Sequence, residues 1–195
     1  SFKIVTRVYN ANSHRDLLAW QLNDAEVSNM YDYYAGTEYV PDRIVTAEDV
    51  EWGGRPVAVV EPMADKPETF MAFEDIERTR FLGRIHVDLE HENRVTMVEV
   101  FEHFGNLFRV DTYDSRGFIS RQQYIDPDGT PNTNVFVDRQ GRPVIEEFLR
   151  RKGPRMSETM LMNRQHIDAQ NQLADNARMS GQPFEAKPFE APQFV

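Results

Sequence analysis

Residues 81–150 hold a series of short strand-like runs, and in the first of them apolar and polar positions alternate with a period of two. Phe81, Ile85, Val87 and Leu89 fall mostly on one parity, and Arg84, His86 and Asp88 fall on the other. That period marks a half-buried strand. Further runs cover 95–104, 107–113, 118–125, 134–137 and 143–148. A short pattern recurs among them at a 12-residue interval: Tyr113-Asp114-Ser115-Arg116-Gly117, Ile125-Asp126-Pro127-Asp128-Gly129 and Val137-Asp138-Arg139-Gln140-Gly141. Each is an apolar residue followed by Asp-x-x-Gly. About twelve residues make one strand and one tight turn. Asp bonds its own backbone two residues on, and Gly takes a positive φ without strain. Asp114, Gly117, Asp126, Gly129, Asp138 and Gly141 are therefore predicted to be structural turn residues. The fold class is α+β, mostly β. It is an antiparallel β-meander with Asp-x-x-Gly hairpin turns, joined to a short strand-helix segment at the N-terminus and a helix plus extended tail at the C-terminus.

The flanking patterns differ. Residues 2–8 read as a buried strand, and Ser13 as the N-cap of a helix over 14–22. Asn23 or Asp24 caps a second helix, along which Val27, Met30, Tyr31 and Tyr34 keep helical spacing and which Gly36 ends. A loop at 38–49 leads to two short strands, 50–52 and 56–60, around Gly53-Gly54. Residues 63–69 read as a connection, with the large sheet beginning after it. Met156, Met160, Leu161, Ile167 and Leu173 suggest an amphipathic helix over 157–178, and the near repeat of Pro-Phe-Glu-Ala over 183–192 suggests an extended tail. The segments are thus 1–75, 76–152 and 153–195.

Polar residues lie side by side inside the last strands: Ser120, Arg121, Gln122 and Gln123 in one, Arg109 and Asp111 in another. A sheet packed on both faces would not tolerate them. The C-terminal half of the meander is expected to be thin, wet on at least one face, and open at an edge that self-association could cover.

Composition narrows the partners. The 195 residues carry a net charge of −10, which argues against duplex nucleic acid and against an anionic membrane surface. With 0 cysteines there is neither a disulfide framework nor a thiolate site, and a reducing compartment is compatible. No apolar run reaches the roughly 20 residues that cross a bilayer. No signal peptide is visible, so a cytoplasmic location is expected.

Catalytic patterns are missing. There is no Gly-x-Gly-x-x-Gly, no phosphate loop and no Gly-x-Ser-x-Gly elbow. His86, Glu90, His91 and His103 could meet across strands, but exposed strand histidines are the simpler reading. Asp126-Pro127-Asp128-Gly129 opens like a calcium loop and lacks its later ligands. No catalytic residue, no metal and no cofactor is assigned to the chain. Arg109, Tyr113, Arg121, Tyr124 and Phe136 stand apart because they alternate along neighbouring strands. Several would share one face, where Arg and aromatic side chains hold a polymer by stacking and hydrogen bonding. The competing reading is a solvated face of cross-strand pairs.

Phe2-Lys3-Ile4-Val5-Thr6-Arg7-Val8-Tyr9-Asn10, with Asn29-Met30-Tyr31-Asp32-Tyr33-Tyr34, resembles the N-terminal region of a group of Gram-positive bacterial glycosyltransferases. These retaining enzymes modify serine-rich adhesins or glucosylate wall teichoic acid. The meander is similar to the extended β-sheet domain inserted in their first nucleotide-fold half, and the resemblance spans 2–151. That family begins with a further strand and a glycine-containing loop that do not stand here. It also carries two glutamates eight positions apart in its sugar-nucleotide half, and no pair of glutamates here has that spacing. The resemblance implies a non-catalytic accessory domain for acceptor recognition or oligomerisation, with a sugar nucleotide bound only by the parent enzyme. The partner would be a polymeric or protein acceptor, or another subunit at the sheet edge in a homo-oligomer or hetero-complex. The alternative is a β-repeat scaffold or interaction module unrelated to sugar transfer. The front segment discriminates between them: a strand-helix unit favours the first, pairing into the meander the second.

Overall fold

The structure, a computed structural model, describes residues 3–23 and 25–149. The expected C-terminal helix and tail lie outside the described residues. The front segment forms a unit of its own. Strand β1 (Ile4–Thr6) leads through helix α1 (Ser13–Ala19) to strand β2 (Val27–Asn29), and helix α2 (Met30–Ala35) follows at once. β1 and β2 pair in parallel, with Ile4 opposite Val27, and neither joins the meander. The single helix expected over 23–36 is therefore split. Buried Val27 is β-branched and serves the strand pair. Asn29 is the true cap of α2, its side chain accepting from the Tyr31 N–H at 2.9 Å. Gly36 ends α2 as expected, at φ +67°. Ser13, expected as a cap, is the first residue of α1, and Asn12 holds the cap position.

The meander is an eight-stranded antiparallel sheet in which spatial order follows chain order. Its strands are β3 (Val59–Met63), β4 (Lys66–Phe73), β5 (Phe81–Asp88), β6 (Arg94–Phe101), β7 (Leu107–Tyr113), β8 (Ile119–Ile125), β9 (Pro131–Val137) and β10 (Pro143–Phe148). It starts earlier than the pattern suggested, because 63–69 is a tight turn plus the first half of β4. Pro67 lies in that stretch, near the start of β4, and Pro62 just precedes it. Pro62 sits in β3, an edge strand, where a missing N–H costs no ladder bond.

From β6 onward the sheet is strictly periodic. Strand ends at Phe101, Tyr113, Ile125 and Val137 are answered by strand starts at Leu107, Ile119, Pro131 and Pro143. Each turn closes alike: the Gly117 N–H donates to the Asp114 carbonyl at 2.9 Å, and the Asp114 N–H donates to Phe118 at 2.8 Å. The Asp126–Gly129 and Asp138–Gly141 turns repeat both bonds. Gly117, Gly129 and Gly141 lie at φ +82°, +80° and +75°, which only glycine adopts freely. A further copy precedes them. Gly105 donates to Glu102 at 2.9 Å in the same geometry, with Glu in the place of Asp.

The core lies under one face of the sheet and is closed by an irregular strap over 40–58. Val45, Ala47, Val50 and Trp52 of the strap pack on Leu82, Ile85, Val87, Val98 and Val100. The strap is held because Val95 donates to the Val45 carbonyl at 2.8 Å. Residues 50–52 are thus core strap and not the expected strand. Gly83 makes the fit possible. A Cβ there would lie 2.9 Å from the Trp52 ring and 1.9 Å from the Glu99 carbonyl oxygen. On this face one register row runs Phe70, Ile85, Val98, Asp111, Gln122, Val135. It changes from apolar to polar at Asp111, where the strap-covered core gives out.

Candidate functional site

The residues singled out by alternation are divided by the sheet. Arg109 and Tyr124 are direct cross-strand partners on β7 and β8, beside the pair Asp111 and Gln122. These four share the face that carries the core. Arg121 and Phe136 are partners on β8 and β9, on the opposite face. Tyr113 belongs to the core, across from Ile119. The five residues therefore do not form one surface, and burial removes Tyr113 and Phe136 from contact with any partner of this fold.

Arg121 and Phe136 serve the front unit. The Tyr31 ring lies 4.2 Å from Phe136, and Tyr9 packs edge-on to it at 5.1 Å. The Arg121 guanidinium covers the other side of Tyr9 at 4.9 Å, and the Tyr9 hydroxyl bonds Ser120 at 2.8 Å. Burial pushes the Tyr9 phenol up to about 12, against the Ser120 bond and the Arg121 charge, which lower it.

The remaining cluster, Arg109, Asp111, Gln122 and Tyr124, keeps polar chemistry on the sheet face. Arg109 Nη2 donates to Asp111 Oδ2 at 2.9 Å. Burial raises the Asp111 carboxyl above the usual range, and Arg109 opposes it. A planar guanidinium, a phenol and an amide stand partly exposed on neighbouring strands, over the buried Asp111 carboxylate. Such a group hydrogen-bonds and stacks with a polar chain molecule.

Two further features were not read from the sequence. The first is the junction around Arg116, whose side chain is 1% exposed. Its Nη1 donates to the Thr37 carbonyl at 2.6 Å, its Nη2 to Asp32 at 2.7 Å, and its Nε to Asp114 at 2.8 Å. Burial would favour proton loss, but Asp114 and Asp32 outweigh it and raise the guanidinium pKa. The Asp114–Gly117 turn thereby locks α2 and the strap to the sheet. The sequence signal was an Arg at the third position of one copy of the repeat.

The second feature is a crevice of about 250 Å³ at the carboxyl ends of β1 and β2, lined in part by Asn10, Asp16, Trp20, Asn29, Asp32 and Glu38. Open parallel sheets hold ligands at this end. A sugar nucleotide, which the family resemblance implies for the parent enzyme, does not fit here. Three carboxylates and no Lys or Arg line the crevice, and a diphosphate needs donors and positive charge. No transfer step is derived through it.

Among the described residues no group of three His, Cys, Asp or Glu side chains could hold a metal. His86 lies by Thr69 and Glu99, and His91 bonds Asp88 at 2.8 Å, so they serve separate contacts. No helix of the described residues is long and apolar enough to cross a membrane.

No family model and no curated protein matches the sequence. Solved structures do match. The Glycosylation Associate Protein (Gap123) complex from Streptococcus agalactiae matches 76% of this chain with a TM-score of 0.60 and 17% identity, using 27% of its own chain. The pneumococcal O-GlcNAc transferase GtfA in complex with UDP and GlcNAc matches 76% with a TM-score of 0.57 and 20% identity, using 29% of its chain. TarM matches 77% with a TM-score of 0.50 and 14% identity, using 30% of its chain. The chain thus spans less than a third of the length of these structures, and its fold is that of one part of them.

Proposed function

We propose that this chain is a non-catalytic domain of a cytoplasmic glycosyltransferase assembly, where it recognises the acceptor or joins subunits. The observation that carries the reading is the front unit. β1, α1 and β2 form a parallel strand-helix-strand unit beside the meander, the arrangement expected of a nucleotide-type half and not of a β-repeat scaffold. The match to a glycosylation-associated complex and to an O-GlcNAc transferase supports the same class. The acceptor is a polypeptide in preference to a polyanionic wall polymer, because the chain carries a net −10. On the sheet face Arg109, Gln122 and Tyr124 supply the contact, with buried Asp111 holding Arg109 from beneath, and the sugar nucleotide is held elsewhere in the assembly. A pull-down on an immobilised Ser/Thr-rich polypeptide, run beside light scattering, tests this. Retention that falls in Arg109→Ala and Tyr124→Ala supports recognition. A strictly monomeric chain that is also not retained refutes the proposal.

A further inference from the structure

The third position of the repeated turn decides what the turn reaches. In Asp114–Gly117 it is Arg116, which clamps Asp32 and the Thr37 carbonyl. The other two Asp turns place polar Asp128 and Gln140 there. In Glu102–Gly105 it is Phe104. That turn is closed as tightly as the others: the Gly105 N–H donates to the Glu102 carbonyl, and the Glu102 N–H to the Asn106 carbonyl, both at 2.9 Å. Turns favour small and polar residues, and Phe104 serves neither the turn nor the core. It is 85% exposed, and its ring contact among the described residues is His103, edge-on at 5.7 Å.

The Asp75–Arg80 turn between β4 and β5 lies at the same end of the sheet, two strands away and so about 10 Å off. It is firmly built, because Asp75 accepts from the Thr79 and Arg80 N–H groups at 2.9 and 2.7 Å. It carries a second exposed apolar side chain, Ile76, at 72%. Residues of both turns line a groove of about 210 Å³, among them Arg80, Phe81, Glu102, His103 and Phe104, with Arg55 beside them. The charge of this groove is opposite in sense to that of the chain. Two guanidiniums face one carboxylate, and the Glu102 carboxylate already accepts from the Asn106 amide. Arg55 is fixed to Glu74 at 2.7 Å, whereas exposed Arg80 reaches Glu74 and Asp75 only at 3.4 and 3.6 Å. Such exposed pairs yield readily to an incoming anion. We infer that this end of the sheet docks an acidic, apolar segment of a partner protein. The segment's apolar side chains pack on Phe104 and Phe81, and its carboxylates meet Arg80. Aromatic and Arg side chains around a pocket are the usual anchors of protein contacts. A lipid surface is disfavoured, because a net charge of −10 repels anionic headgroups.

The groove lies off the sheet face and stands apart from the acceptor contact proposed above. Phe104 and Arg80 are exposed, so changing them leaves the fold intact, which the urea midpoint checks. Fluorescence anisotropy of a labelled peptide of alternating Glu and Leu, titrated with the full chain, is expected to rise to saturation. Phe104→Ser and Arg80→Glu should each weaken binding about tenfold or more, and added salt should weaken it as well. Tyr124→Ala should leave it unchanged. Absence of saturable binding overturns the inference, and so does binding indifferent to both groove variants. Equal binding of a peptide of alternating Lys and Leu overturns the charge argument and the choice of partner with it. Uptake by phosphatidylcholine vesicles that depends on Phe104, without peptide binding, assigns the groove to a lipid surface and overturns it too. Retention of Phe104→Ser on the Ser/Thr-rich polypeptide reports separately on the sheet face.

Discussion

Arg116 reaches Asp32 at 2.7 Å across 84 residues of sequence. A hairpin turn of the meander thus anchors a helix of the front unit. Arg116 is the buried cation there, held between buried Asp114 and half-buried Asp32. Arg116→Met should cost about 3–5 kcal/mol, because it leaves Asp114 and Asp32 without their partner. In the Asp138–Gly141 turn Gln140 holds that place, and the arginine of that turn, Arg139, is one position earlier and exposed. Arg139→Met should therefore change stability by less than about 0.5 kcal/mol. Urea unfolding of the two variants reads the difference.

Gly83 and Gly129 are needed for opposite reasons. At Gly83 a methyl group meets the Glu99 carbonyl oxygen and the Trp52 ring. Gly83→Ala should cost about 3 kcal/mol or more and quench or shift the Trp52 fluorescence. At Gly129 the space is open and φ is +80°. Gly129→Ala should cost about 1–2 kcal/mol, and Gly129→Asn less, because Asn tolerates the left-handed region.

Tyr9 and Tyr113 are raised by burial to about 12. The sign follows from the neutral phenol being the form that folds. Their contribution is complete below pH 10 and is lost as pH rises through the folded values. Absorbance titration near 295 nm should show these two of the seven tyrosines ionising last, together with loss of tertiary structure. Ionisation of all seven in one step near pH 10 would contradict the burial.

Asp111 behaves in the reverse sense to an ion-paired surface carboxylate. Its folded pKa is raised, mainly by burial. The cost of its charge is present above that pKa and is relieved as pH falls toward the unfolded value. Asp111→Asn should raise the urea midpoint at pH 7, and the gain should shrink as the medium is acidified. A constant gain at every pH would assign the effect to packing.

The sheet face and the turns should separate in function. Asp126→Ala should cost about 1 kcal/mol without altering acceptor retention. Tyr124→Ala should lower retention with little change in stability. Arg121→Ala should destabilise, because its guanidinium lies on Tyr9.

The meander was legible because its information is local. Asp126 and Gly129 settle a turn by themselves, and strand parity fixes which residues share a face. The copy at Glu102–Gly105 escaped because Glu is not a usual turn signal, although Gly105 keeps the spacing. The strap escaped for another reason. Val50 and Trp52 look like strand residues, and only their contact with Gly83 shows that they form the second layer. The division of Arg109 from Arg121 was hidden by counting. The 12 positions between them suggest a shared face, yet in an antiparallel pair Arg109 meets Tyr124 and Arg121 meets Thr112. The Arg116 junction depends on distant partners, Thr37 and Asp32, that no spacing announces.

The identity of spatial order and chain order has a kinetic consequence. Every ladder from β3 to β10 closes between consecutive strands, so each step spans little chain, and chains rich in such local contacts fold quickly. The sheet can nucleate at any hairpin and grow by adding neighbours, as linear repeat arrays do. The contacts of Tyr9 with Ser120 and of Asp32 with Arg116, at separations of 111 and 84 residues, depend on a sheet already in place. The front unit is therefore the slow, last-docking element, and its release is the first step in unfolding.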